Sequence, residues 1–157
     1  MLEVPPVQDV QMNHVVLACA DGWASLFAHL AGEQEPRSAY RLTFVVQGWS
    51  LGRIEPRVVQ VDGQASTTLK GLAVADAEQQ LAVHTSMCFE GPDGELDQLQ
   101  KCLAAGRSHT LFNGAINVPR RAPRTTAAQL SRTWLPSDRA RVDPNPELEL
   151  GAAGVRG

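Results

Sequence analysis

Aromatic side chains are scarce, making up 5% of the 157 residues. None lies between Arg120 and Arg132 in the most basic part of the chain, so the stacking platform that holds single-stranded nucleic acid is missing there. Lysine is confined to Lys70 and Lys101, and neither has the glycine spacing or the Ser/Thr partner of a phosphate-cradling loop. No strand-to-helix nucleophile elbow is expected. Apolar runs are short, far below the roughly 18 residues of a membrane-spanning helix. No basic start leads into an apolar signal core, so a soluble cytoplasmic protein without membrane contact is the expectation. The three cysteines, Cys19, Cys88 and Cys102, are odd in number, far apart and without C-x-x-C spacing. They are read as reduced apolar thiols rather than a disulfide framework or a metal site. A formal net charge of −3 gives no overall attraction to nucleic acid or anionic lipid.

What is present is a succession of short apolar runs, each closed by a turn signal. Val15–Leu17 ends at Asp21-Gly22, Leu42–Val46 at Gln47-Gly48, Val58–Val61 at Asp62-Gly63, Leu81–Val83 leads to Gly91–Gly94, and Ile116–Val118 ends at Pro119. Such β-branched runs punctuated by Asp-Gly and Pro-Asp-Gly read as strands with tight turns. Val16, Ala20, Trp23, Phe27 and Leu30 also fit a helical stripe. Asp21-Gly22 interrupts it, so two strands are expected there. Ala24, Ala39, Ala65, Ala122 and Ala140 follow the turns at loosely regular intervals, as if small residues packed inward beneath each turn of a solenoid. Pattern alone leaves that solenoid competing with an antiparallel sandwich, and slightly favours the sandwich.

Charge is unevenly distributed. Six acids and no Lys or Arg lie between Asp76 and Asp97, whereas seven arginines and one acid, Asp138, lie between Arg107 and Arg141. The basic half could serve an anion or nucleic acid. The alternative is a solvated arginine ladder facing the acidic stretch from a neighbouring coil. Among the histidines His14, His29, His84 and His109, only His29 has a carboxylate at ligand spacing, Glu33. His84 and His109 sit in strand-like runs and are expected to face solvent or take one hydrogen bond. Glu147 and Glu149 alternate with leucines, which puts both carboxylates on one strand face. Such a pair could do acid–base work, though an edge or surface strand explains it far more easily. No catalytic, cofactor-binding or metal-ligating residue is assigned.

Four segments in order are more specific: 112–118 (Phe-Asn-Gly-Ala-Ile-Asn-Val), 125–132 (Thr-Thr-Ala-Ala-Gln-Leu-Ser-Arg), 137–143 (Ser-Asp-Arg-Ala-Arg-Val-Asp) and 146–150 (Pro-Glu-Leu-Glu-Leu). Together with 59–66 and 91–101 upstream, they resemble the core of the SufB/SufD family, and the SufD side most closely. The likeness runs from about Leu26 to Leu150. It implies an all-β fold, a right-handed parallel β-helix, in place of the sandwich. The expected organisation is an irregular start over 1–13, a β-helix core over 14–150 and a disordered tail over 151–157.

The resemblance further implies a scaffold rather than an enzyme. Family members pair as β-helix subunits, dock an ABC-type ATPase through a C-terminal helical region, and support iron–sulfur cluster assembly. The expected partners are therefore a SufB-like subunit and a SufC-like ATPase. Beyond Leu150 the chain lacks the family's continuing Cys, His and helical segments, so an incomplete copy with no ATPase-docking region and no cofactor of its own is expected. Cys88 and Cys102 are expected as core thiols. Trp134-Leu135-Pro136 replaces a run of leucines, which would strain a packed coil. Localisation is expected to be cytoplasmic, or the plastid stroma in a photosynthetic eukaryote. The competing readings are a carbohydrate-active β-helix such as a polysaccharide lyase, and an arginine-rich anion- or nucleic-acid-binding module.

Overall fold

A computed structural model describes residues 2–7 and 10–150, and within them the chain is strands and turns throughout. The strands are β1 (Leu2–Val7), β2 (Gln11–Cys19), β3 (Ser25–Gln34), β4 (Ala39–Gln47), β5 (Leu51–Gln60), β6 (Ser66–Ala75), β7 (Gln80–Phe89), β8 (Glu95–Ala104), β9 (His109–Val118), β10 (Thr126–Trp134) and β11 (Arg141–Leu150). Odd-numbered strands form one six-stranded sheet, here sheet A, and even-numbered strands form a five-stranded sheet B. Each strand pairs in parallel with the strand two places on: β3 with β5, β4 with β6, and so along the chain. Consecutive strands therefore lie in opposite sheets, and the chain winds as a parallel β-solenoid. Gln11 pairs with Ala39, Ala39 with Ser66, and Ser66 with Glu95. The loose rhythm of turns in the sequence is this winding, and the sandwich is excluded because no hairpin joins neighbours.

Alternation within each strand divides inside from outside. Leu42, Phe44 and Val46 of β4, Val83 and Met87 of β7, and Phe112 and Ile116 of β9 are buried between the sheets. Gly71 stands opposite Phe44 in the ladder. A Cβ there would lie 2.4 Å from the ring Cζ of Phe44 and 2.2 Å from Oε1 of Gln100, so the missing side chain leaves room for the ring. Several polar groups that enter this interior are hydrogen-bonded there, although the buried Thr110 hydroxyl has no partner among the described residues. Gln129 donates to Gln98 at 2.9 Å, and Gln98 donates to the Thr85 hydroxyl at 2.7 Å. Gln34 and Gln60 donate from one coil to the carbonyls of Ser66 and Glu95 in the next, both at 3.1 Å. Such partners offset the cost of burying an amide.

The two corners of the coil are built differently. At one, Gly22, Gly48, Ala77 and Gly106 take positive φ. Gly48 is required there, since a Cβ would fall 1.8 Å from the carbonyl oxygen of Ala20. At the other corner Arg37, Gln64, Asp93 and Arg124 hold φ between 53° and 63°. Their strain is offset by stacking: Arg37 N–H donates to Gln64 O, Gln64 N–H to Pro92 O and Asp93 N–H to Pro123 O, at 2.8–3.0 Å.

Prolines mark where the ladder is interrupted. Arg141 N–H donates to Ser108 O at 2.9 Å, toward β9. In a parallel strand alternate residues point their N–H the same way. The nitrogens of Pro144 and Pro146 therefore face the side of β11 on which no described strand pairs, the position proline tolerates. Pro56 is interior instead. Ile54 pairs with Val83 and Arg57 with Ser86, and the two positions between drop out of the ladder.

Several expectations are corrected. The irregular start expected over 1–13 is mostly strand where it is described, because Leu2–Val7 pairs with β3 and β2 begins at Gln11; residues 1, 8 and 9 lie outside the described residues. The tail over 151–157 lies outside the described residues. Ala65 and Ala122 pack beneath turns as expected, but Ala24 is exposed and Ala39 and Ala140 are half-buried. Trp134 closes β10 pointing outward, 66% exposed, and Pro136 falls in the following turn. Neither crowds a packed coil, so the anticipated strain is not incurred. Cys102 is a core thiol, whereas Cys88 occupies an outward position and is half-buried.

Candidate functional site

The outer face of sheet A carries a cluster of titratable groups centred on Glu55. Outward positions at one level of successive coils are His29, Glu55, His84 and Asn113, since His29 pairs with Glu55 and His84 with Asn113. A shallow groove lies over this row, lined also by Arg57 and Ser86. Its floor is the ladder gap at Pro56: the carbonyl of His84 faces a residue with no N–H to give.

Glu55 is the centre of the cluster. Arg53 Nε donates to one of its oxygens at 2.5 Å, and His29 Nδ1 lies 3.4 Å from the other. The Arg53 hydrogen bond holds the Glu55 carboxyl below its ordinary range, with His29 helping. His84 is pushed below its ordinary value of 6.5, first by burial and then by the Arg53 charge. Arg57 makes no ion pair among the described residues. The groove thus presents a neutral imidazole, a hydroxyl, an amide and one unpaired guanidinium beside a neutralised carboxylate. That donor set can hold a carboxylate or another oxyanion at the surface.

His29 and Glu33, noted for their ligand spacing, are not brought together on a metal site. The alternation of β3 leaves both outward, and His29 turns to Glu55 of the next coil. His109 Nε2 lies 2.7 Å from Asp143, which Arg141 also bonds at 3.0 Å. The His109 hydrogen bond comes first among the causes that lower the Asp143 carboxyl. His14 bonds the Tyr40 hydroxyl at 2.9 Å. Glu147 and Glu149 share the outward face of β11 and are exposed, as a surface strand would place them. Among the described residues, no three His, Cys, Asp or Glu side chains converge where they could hold one metal ion.

Two of the three thiols, Cys88 and Cys102, are poor nucleophiles as placed. Burial pushes Cys102 up to about 11, and burial followed by the Glu90 charge raises Cys88. Cys19 is exposed at the end of β2.

The acidic and basic stretches meet at the charged corner. Arg124 bonds Asp93 through two nitrogens at 2.7 and 3.0 Å, and Arg121 bonds Glu90 at 3.3 Å, each one coil apart. These arginines are partnered within the chain rather than free for a polyanion, which favours the ladder reading of the basic half. A pattern overlooked in the sequence is Gly48-Trp49-Ser50-Leu51-Gly52, which spells G-x-S-x-G. Ser50 lies between two strands with its N–H donated to Ala24 O at 2.9 Å, and no helix follows it, so no elbow is built.

The chain matches the family described as SUF system FeS cluster assembly, SufBD core domain, over residues 2–157. It is 29% identical over 149 residues to an iron–sulfur cluster assembly SufBD family protein of Synechocystis, covering 95% of this chain and 33% of that protein. It is 33% identical over 160 residues to the chloroplastic protein ABCI7 of Arabidopsis thaliana, covering 99% of this chain and 33% of that one. The chain thus spans about one third of the length of these relatives. No solved structure matches it. Among the described residues, no helix is long and apolar enough to cross a membrane.

Proposed function

The chain belongs to the SufBD family, and on that premise we propose that it forms the β-solenoid body of a SufD-like scaffold subunit in iron–sulfur cluster assembly. The observation that carries this reading is the match of the SufBD core domain along the full length of the solenoid. The role is structural rather than enzymatic. A shared interior of stacked aliphatic and phenylalanine side chains makes a stiff rod, and its outer faces are the surfaces left for partners. Iron and sulfur are cargo of the assembled complex in this reading, and the chain has no resident cofactor. The raised thiols of Cys88 and Cys102 support it, since a protonated buried thiol neither attacks nor ligates readily.

The partners are a SufB-like β-helix subunit and, through it, a SufC-like ABC ATPase. The compartment is the cytoplasm, or the plastid stroma in a plastid-bearing host, in keeping with the chloroplastic name of the Arabidopsis relative. Co-expression of the 157-residue chain with a SufB-like subunit and the ATPase tests the assignment. We expect the chain to elute with the SufB-like subunit and not with the ATPase alone. Elution as a separate species from both overturns the scaffold role.

A further inference from the structure

The outer face of sheet B differs from that of sheet A. Toward the glycine corner, Leu17, Val45 and Leu72 form one continuous outward row. The next row ends in Val74, Leu103 and Trp134. Leu17 and Trp134 are 70% and 66% exposed. Trp23 and Trp134 lie at this corner, where Trp49 packs against the core and donates its indole N–H to Ala18 O at 2.8 Å. Trp23 is the most exposed large apolar side chain at 89%. Aliphatic rows edged by tryptophan are the composition of a protein interface rather than of an ordinary sheet surface.

Within this strip, the three outward rows nearest the glycine corner, the charged side chains are cations. Lys101 and Arg132 continue the Leu17–Val45–Leu72 row, and Lys70 projects from the neighbouring row between Thr43 and Leu99. None of the three forms an ion pair among the described residues. Unpaired cations set into an aliphatic strip call for a partner with carboxylates flanking an apolar stripe. We propose that this face docks an acidic amphipathic helix of a separate protein, laid along the solenoid axis. Five strands at about 4.8 Å spacing give a platform of roughly 19 Å, the length of about 13 helical residues. An apolar stripe at i, i+3, i+4 and i+7 covers the leucine and valine rows. A flat anionic membrane does not fit, because it would reach past the strip to exposed Asp21, Asp76 and Glu78 at the corner and Glu95 and Asp97 on the other side, whereas a single helix is narrow enough to lie between them.

Two synthetic amphipathic helical peptides test this: one with a leucine stripe flanked by glutamates, and the same peptide with every glutamate replaced by lysine. Each is titrated into the 157-residue chain and followed by tryptophan emission and by anisotropy of the labelled peptide. The glutamate peptide is expected to bind at least about tenfold more tightly than the lysine peptide, and K101E/R132E is expected to reverse that order. Leu72→Ser is expected to weaken both peptides without changing the thermal midpoint, since Leu72 points outward. Equal binding of the two peptides, no binding, or indifference to K101E/R132E overturns the proposal. So does either of two other occupants: concentration-dependent self-association that Leu72→Ser removes, or capture of anionic vesicles that K101E/R132E removes.

Discussion

On the outside of sheet A, successive coils stack His29, Glu55, His84 and Asn113 at one level, while on the outside of sheet B they stack Leu17, Val45 and Leu72. The insides of the two sheets show no such contrast. Phe44 of β4 and Phe112 of β9 are equally buried, at 1% and 0% exposure. Inward positions of both sheets fill one shared interior and answer to one packing requirement. Outward positions answer to nothing within the chain beyond the next coil, so partner chemistry is free to diverge there. At this level sheet A stacks polar side chains, with His29 bonded to Glu55, whereas sheet B stacks aliphatic groups that continue into Lys101 and Arg132, unpaired among the described residues.

The largest test of that contrast sets an inward residue against its outward neighbour. Phe44→Ala removes a ring that is 1% exposed and should cost about 3–5 kcal/mol in urea unfolding. Val45→Ser beside it should stay within about 0.5 kcal/mol. Equal losses would mean that the sheet B face is interior after all. A smaller effect is expected at Gly71, where an added Cβ would meet Phe44 and Gln100. Gly71→Ala should cost about 1–3 kcal/mol, and pairing it with Phe44→Leu should recover part of the loss if the ring is the obstacle.

The smallest effect belongs to sheet A and is a matter of pH. His84 folds with its pKa lowered from 6.5 by burial and the Arg53 charge. The unfolded chain therefore takes up that proton first, and stability falls as the pH drops from 6.5 through the lowered value, with no contribution above 6.5. His84→Asn should flatten this part of the stability profile, and Val45→Ser on the other face should leave it unchanged. NMR titration of the His84 ring at or above 6.5 would remove the effect.

Much of the architecture is legible in the residues. The runs at Val15–Leu17, Leu42–Val46, Val58–Val61, Leu81–Val83 and Ile116–Val118 all lie in or at the edge of observed strands, and Asp21-Gly22 separates β2 from β3 as expected. β6 and β8 were harder to see. Thr67, Gln98 and Gln100 face inward and are buried, so polar letters occupy core positions and blur the alternation. The hydrogen-bond partners of Thr67 and Gln98 come from other strands or other coils, and no local pattern contains them. The same distance hid the partner of His29, which lies 26 residues away in Glu55.

Alternation, turn chemistry and the family motifs are local properties, and they were enough to mark strands, turns and kinship. Which residues stand above one another depends on the length of every intervening turn, because a shift of one residue sends each side chain to the opposite face. Sheet pairing, the Asp93–Arg124 and His29–Glu55 contacts and the contrast between the two outer faces therefore arise only when the coils close in register.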